Sequence, residues 1–129
     1  MTEERLKQQP RPQSQRTFKR RGFGPRKRLM TVVVLGTLRF PPDRIASVLP
    51  HLHALVAATR EHDGCIAYDV AEDPFDPGLI RFSEIWPDMA LLEAHLKAPH
   101  IEPWRVAARS HGLISREFTA YEAANPKPV

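Results

Sequence analysis

The sequence predicts an α+β fold, a four-stranded antiparallel sheet with helices on one face in the order β-α-β-β-α-β. Three observations predict it. A chain of 129 residues suits one domain. Apolar and β-branched runs mark strands at residues 30–40, 65–72, 79–86 and 113–122. Apolar positions at helical spacing fill the intervals before the second and fourth of these strands.

Each element has a local cause. The first strand reads MTVVVLGTLRF and is closed by Pro41-Pro42-Asp43, with proline suited to a first helical turn. Ile45, Val48, Leu49, Leu52, Leu55 and Val56 then form one helical face. Pro50 falls inside that pattern and off that face, so a kink or a split helix is expected. Asp63-Gly64 stops the helix. In the second strand Ile66, Tyr68 and Val70 alternate with Cys65, Ala67 and Asp69. The turn Asp73-Pro74-Phe75-Asp76-Pro77-Gly78 leads into the third strand as a hairpin. Residues 88–97 form a second helix with Met89, Leu92 and Leu96 inward, broken by Pro99. Residues 100–109 add another helical piece that ends near Gly112. The fourth strand follows, and residues 123–129 are a loose tail.

This order is the split βαβ, or ferredoxin-like, arrangement. Helices on one side of the sheet leave the other side bare, yet both faces carry apolar residues. Val32, Val34 and Leu38 oppose Val33 and Leu35 in the first strand; Ile114 and Phe118 oppose Leu113 and Tyr121 in the fourth. A sheet with one solvated face alternates more cleanly. A homodimer with sheets packed face to face is therefore expected.

Charge divides the chain. Residues 1–28 hold ten Lys/Arg against two acids, a net +8, and the remainder carries a net −4. A basic, apolar-poor extension over residues 1–29 is expected to be disordered, because it cannot bury enough surface to offset its ordering entropy. It has no aromatic interleaving or nucleic-acid motif, so contact with nucleic acid is disfavoured. Met30 stands where the globular part begins. No apolar run reaches membrane-spanning length or forms a secretory h-region. Cys65 is the only cysteine, which points to the cytoplasm and to a small packing residue rather than a nucleophile.

The chemistry-bearing residues lie between positions 61 and 104. Phe82, Glu84 and Trp86 share a face of the third strand. His95 and His100 flank Pro99. On an unbroken helix they would point apart, but a corner at the proline lets both rings approach one cavity. Trp104 lies one turn beyond His100. A cavity bounded by Tyr68, Phe82, Trp86 and Trp104, with Glu84 beside it, suits a flat aromatic ligand held by stacking. A histidine at its rim has the right basicity to remove a phenolic proton. Plainer roles exist for each: core packing for the tryptophans, capping for the histidines, pairing with Arg81 or Arg105 for Glu84. His51 and His53 sit on opposite sides of a helix and make no joint site. A metal held by His95 and His100 lacks a third ligand, so none is expected. No phosphate loop, zinc spacing or Ser-His-Asp order is present.

These residues carry a resemblance. The run Glu61-His62-Asp63-Gly64-Cys65, then Tyr68, Glu84-Ile85-Trp86, and His95 through Pro99-His100, resembles the antibiotic biosynthesis monooxygenase domain. That family is a branch of the dimeric α+β barrel superfamily. The likeness spans residues 30–122. It implies a ferredoxin-like dimer forming an α/β barrel. It also implies oxygenation of a small aromatic quinol or anthrone by dioxygen, with no flavin, haem or metal cofactor. Trp86, His95 and His100 match the family's motif, and Trp104 stands where a pocket aromatic is expected. With the cavity argument this gives His95 and His100 to catalysis, and Trp86, Trp104, Tyr68, Phe82 and Glu84 to the substrate. The haem-degrading branch needs an asparagine on strand one; the only asparagine here is Asn125, so haem degradation is disfavoured. The alternatives are isomerisation of a small keto compound, phosphorylated in one branch of the family, and a non-catalytic dimeric ligand-binding or stress-associated module.

Overall fold

The structure, a computed structural model, describes residues 30–129; the expected disordered extension lies outside them. The elements are β1 (Thr31–Arg39), a 3-10 turn (Pro42–Arg44), α1 (Ile45–His62), β2 (Ala67–Glu72), β3 (Leu79–Trp86), α2 (Met89–Leu96), α3 (Ile101–Ser110) and β4 (Ser115–Ala123). The sheet order is β2-β3-β1-β4 with every pairing antiparallel. This is the predicted ferredoxin-like α+β fold.

Three details differ from the sequence reading. The helix is not split at Pro50. That proline lies on the exposed side of the helix, and Ala46, whose carbonyl it leaves without a helical donor, is exposed as well. Cys65 precedes β2 instead of opening it, half-buried with its thiol 3.9 Å from the Thr59 carbonyl. Burial raises the Cys65 pKa, which suits packing rather than nucleophilic chemistry. On α2 the inward residues are Leu92 and His95, whereas Leu96 is exposed at one edge. His51 and His53 are both exposed.

The core lies between the sheet and the helices. Ile45, Val48, Leu52 and Leu55 of α1 cover Val32, Leu38, Phe40 and Ile80. Strand pairing sets side chains of the helix-facing side in rows. Tyr68, Glu84, Val34 and Ala120 form one row; Val70, Phe82, Gly36 and Phe118 form the next. Gly36 has a specific role in the second row. A Cβ there would lie 2.2 Å from Phe118 Cδ2. Its absence lets the Phe82 and Phe118 rings meet edge-to-face across β1, with centroids 5.1 Å apart. Phe118 thus shares the inner face with Arg116 and Ala120.

On the other face Leu35 and Tyr121 are each 52% exposed, with Val33 and Ile85 half-buried beside them. β4 is exposed along almost its whole length. Beyond Ala123 the residues are exposed and have no regular secondary structure. Among the described residues no helix is long and apolar enough to cross a membrane.

Candidate functional site

A cavity of about 570 Å³ lies between the helix-facing side of the sheet and helices α2 and α3. This is within the range of small-molecule sites. Its floor is made by β1, β3 and β4, including Val34, Glu84, Phe82, Phe118 and Ala120. Its roof includes Leu92 and His95 of α2 and Ile101, Trp104 and Ala108 of α3. Tyr68 closes the inner end, and β4 leaves the outer side open.

His95 is held by Asp63, which the sequence reading used only as a helix stop. Asp63 caps the C-terminus of α1 and is followed by Gly64, whose φ of 79° turns the chain into β2. Its carboxylate points inward with the side chain 8% exposed. One oxygen, Oδ2, lies 2.6 Å from His95 Nδ1 and 2.8 Å from His100 Nε2. A carboxylate oxygen only accepts, so each of these nitrogens is an N–H donor. His95 therefore keeps its lone pair on Nε2, the nitrogen with no hydrogen bond among the described residues. Burial lowers the His95 pKa below the ordinary 6.5, while Asp63 opposes that shift. Burial thus favours the neutral ring and Asp63 orients it, as a general base requires.

The corner at Pro99 forms as expected. Asp88 caps α2 by accepting from the Leu91 amide at 2.9 Å, the helix ends at Leu96, and His100 stands at the N-cap position of α3. The corner brings the two imidazole rings to 6.4 Å, but they meet at Asp63 and not at the cavity. His95 lines the cavity; His100 does not, and stands behind Asp63. The sequence reading brought His100 to the same cavity as His95; the structure brings it to Asp63 instead. Asp63 also supplies the third donor that a metal site seemed to lack, so the donor types for a cation are present. In the arrangement seen, both ring nitrogens are occupied as N–H donors to one oxygen.

Trp86 is likewise displaced from its expected role. It is fully buried and absent from the cavity wall. Its indole N–H donates to Glu84 Oε1 at 2.9 Å, and its ring supports His95 from behind at 4.8 Å. Glu84 does not pair with Arg81 or Arg105. Arg81 binds Asp73, and Arg105 donates to the Leu96 carbonyl. Glu84 is buried at the cavity floor, and desolvation raises its pKa against the opposing effects of Trp86 and Arg116. Burial, and then the Glu84 charge, raise the Tyr68 pKa strongly, so its phenol stays neutral. Tyr68, Phe82, Glu84 and Trp104 do line the cavity, and Trp104 packs edge-on against Phe40.

Besides Asp63, the sequence reading missed Phe118 and the cavity-lining arginines 105, 109 and 116. Asp63 had one signal, an acid immediately before the helix-ending glycine. The arginines had none, because exposed arginine on a helix or edge strand reads as a solubilising residue.

Comparison with known proteins agrees with this architecture. The family Antibiotic biosynthesis monooxygenase matches residues 31–107, more than half of the chain. A solved structure from Deinococcus radiodurans, provisionally named an antibiotic biosynthesis monooxygenase, is 30% identical with a TM-score of 0.71, covering 76% of this chain and 97% of that one. One from Caulobacter crescentus with the same provisional name has a TM-score of 0.71 over 75% of this chain and 92% of that one. At 17% identity it shows the fold alone. An uncharacterised protein of Synechocystis sp., sll1783, is 28% identical over 100 residues, covering 76% of this chain and 67% of its own. The chain belongs to the antibiotic biosynthesis monooxygenase family.

Proposed function

We propose that this protein is a cofactor-independent monooxygenase that oxidises a small aromatic quinol or anthrone with dioxygen. The observation that carries the reading is His95, which lines an aromatic cavity as a neutral imidazole, its Nδ1–H tied to Asp63 and its Nε2 unpaired. Nε2 takes the proton of the substrate hydroxyl, or of the acidic anthrone carbon, leaving an electron-rich anion. The anion gives one electron to dioxygen, and the two radicals combine as a carbon peroxide. That peroxide recovers the proton from His95. Loss of the remaining ring-carbon proton with cleavage of the O–O bond leaves one oxygen as a carbonyl and the other in water. Phe82, Trp104 and Phe118 hold the ring, and the neutral Tyr68 closes the inner end.

The proposal extends to a homodimer and to the cytoplasm. The exposure of Leu35 and Tyr121 supports the bare sheet face as the contact between copies that would complete the barrel. The lone Cys65 supports a reducing compartment. Oxygen uptake by metal-stripped protein with a panel of hydroquinones and anthrones tests the chemistry. Uptake with one of them is expected, and His95→Ala should lower turnover by about 10²–10⁴. Product formed without oxygen uptake would instead assign enolisation by the same base. Sedimentation of the Leu35→Glu variant tests the dimer: it should run as a monomer where the wild type runs as a dimer.

A further inference from the structure

The proposed reaction requires an aromatic ring with an ionisable hydroxyl, and leaves open what else the substrate carries. The charged groups around the cavity bear on that. Besides His95, its lining holds three arginines and one acid. The acid is Glu84, buried and engaged by Trp86. The cations gather at the open side. Arg105 and Arg109 lie one turn apart on α3, on the side that carries Ala108 into the cavity. Arg116 projects from the inner face of β4, in the same row as Leu38. Its guanidinium lies 4.4 Å from the Phe118 ring centroid. That stacking pre-orients it beside the aromatic floor.

These guanidiniums are incompletely matched by acids. Glu102 faces Arg105 at 3.8 Å and Arg109 at 4.0 Å, both at the limit of an ion pair and both exposed. Arg116 has no acidic partner within 4.0 Å among the described residues. Yet the chain beyond its first 28 residues carries a net −4, so a three-arginine cluster is a local reversal of sign. A guanidinium fork matches a carboxylate or phosphate and gains nothing from a neutral ring edge.

We infer that the substrate is an acidic aromatic, its carboxylate or phosphate anchored by Arg116 with Arg105 and Arg109 at the mouth, and its hydroxyl-bearing ring directed inward to His95. The inference rests on the cavity being the substrate site. It does not depend on the oxygen chemistry, so binding and turnover test the two separately.

The experiment is calorimetric titration of the full chain with three probes, 5-hydroxy-1-naphthoate, 5-hydroxy-1-naphthyl phosphate and neutral 1-naphthol. Each acidic probe is compared with 1-naphthol in wild type, Arg116→Gln and His95→Ala. At least one acidic probe should bind at least about tenfold tighter than 1-naphthol, the effect of one charge-assisted hydrogen bond. Whichever acid leads names the group. That advantage should shrink with added salt, collapse in Arg116→Gln and survive in His95→Ala. Equal binding of all three probes, or an acidic preference that Arg116→Gln retains, overturns the inference. Preserved selectivity in a protein that consumes no oxygen would leave it standing while removing the monooxygenase reading.

Discussion

The cavity has two unlike walls. The inner wall holds Tyr68, Glu84 and His95, with Asp63 and Trp86 behind them, and Tyr68, Glu84, Trp86 and His95 are at most 3% exposed. Hydrogen bonds join them in two pairs, Asp63 to His95 at 2.6 Å and Trp86 to Glu84 at 2.9 Å. The outer wall holds Trp104, Arg105, Arg109, Arg116 and Phe118, which are half-buried or exposed. The contrast separates two tasks. Proton transfer needs a base held in one tautomer and one orientation, which buried partners enforce. Recognition tolerates mobile side chains, because a planar guanidinium or an indole face meets its ligand over a range of poses.

The largest effect should come from opposing tryptophan substitutions. Trp86→Ala removes a fully buried indole and leaves Glu84 without its donor, costing about 3–5 kcal/mol. Trp104→Ala should cost far less stability and weaken ligand binding more. Urea midpoints beside calorimetric affinities decide this; similar stability losses for both would erase the contrast.

Asp63→Asn should cost about 1–3 kcal/mol, because two ring N–H groups lose their shared charged acceptor. His100→Ala keeps the Asp63–His95 bond, so its effect on turnover should be smaller than that of Asp63→Asn. The reverse ranking would move the base to His100. Gly36→Ala drives a Cβ into the Phe118 ring and should cost about 1–3 kcal/mol, with a smaller cavity.

Two buried groups set a pH dependence. His95 titrates below its ordinary 6.5 when folded, so the unfolded chain takes up a proton first, and stability falls as pH drops through 6.5. Glu84 titrates above its ordinary 4.5 when folded, so its contribution is present at low pH and lost as pH rises through the folded value. Glu84→Gln should therefore gain on the wild type as pH rises from 4.5. Denaturant midpoints against pH give the difference, and a flat one would contradict the assigned burial cost. The acid limb of kcat/KM should likewise lie below pH 6.5.

The smallest effect belongs to the outer wall. Arg109→Gln should leave stability within about 0.5 kcal/mol while weakening an acidic ligand, as paired melts and titrations would show.

Much of this organisation was legible from the sequence, and the parts that were not have physical causes. Strand period placed Tyr68, Phe82, Glu84 and Trp86 on inward faces, and Pro99 announced the corner that carries His100. What periodicity cannot convey is depth within a face. Trp86 and Phe82 share a side of β3, yet one lies behind Glu84 and the other meets the cavity. Nor does it convey convergence: Asp63 is distant in sequence from His95 and His100, and the hydrogen bonds form only when the end of α1 meets the corner. Phe118 was assigned the face opposite Tyr121, as found, but its passage over Gly36 depends on strand order, which alternation does not encode.

The most direct test is oxygen uptake by metal-stripped protein given a hydroquinone or anthrone, wild type beside His95→Ala. Uptake should persist under chelation, with one product carbonyl formed for each dioxygen consumed, and fall by about 10²–10⁴ in the variant. Equal rates in the two proteins, or no uptake across the panel, would contradict the account.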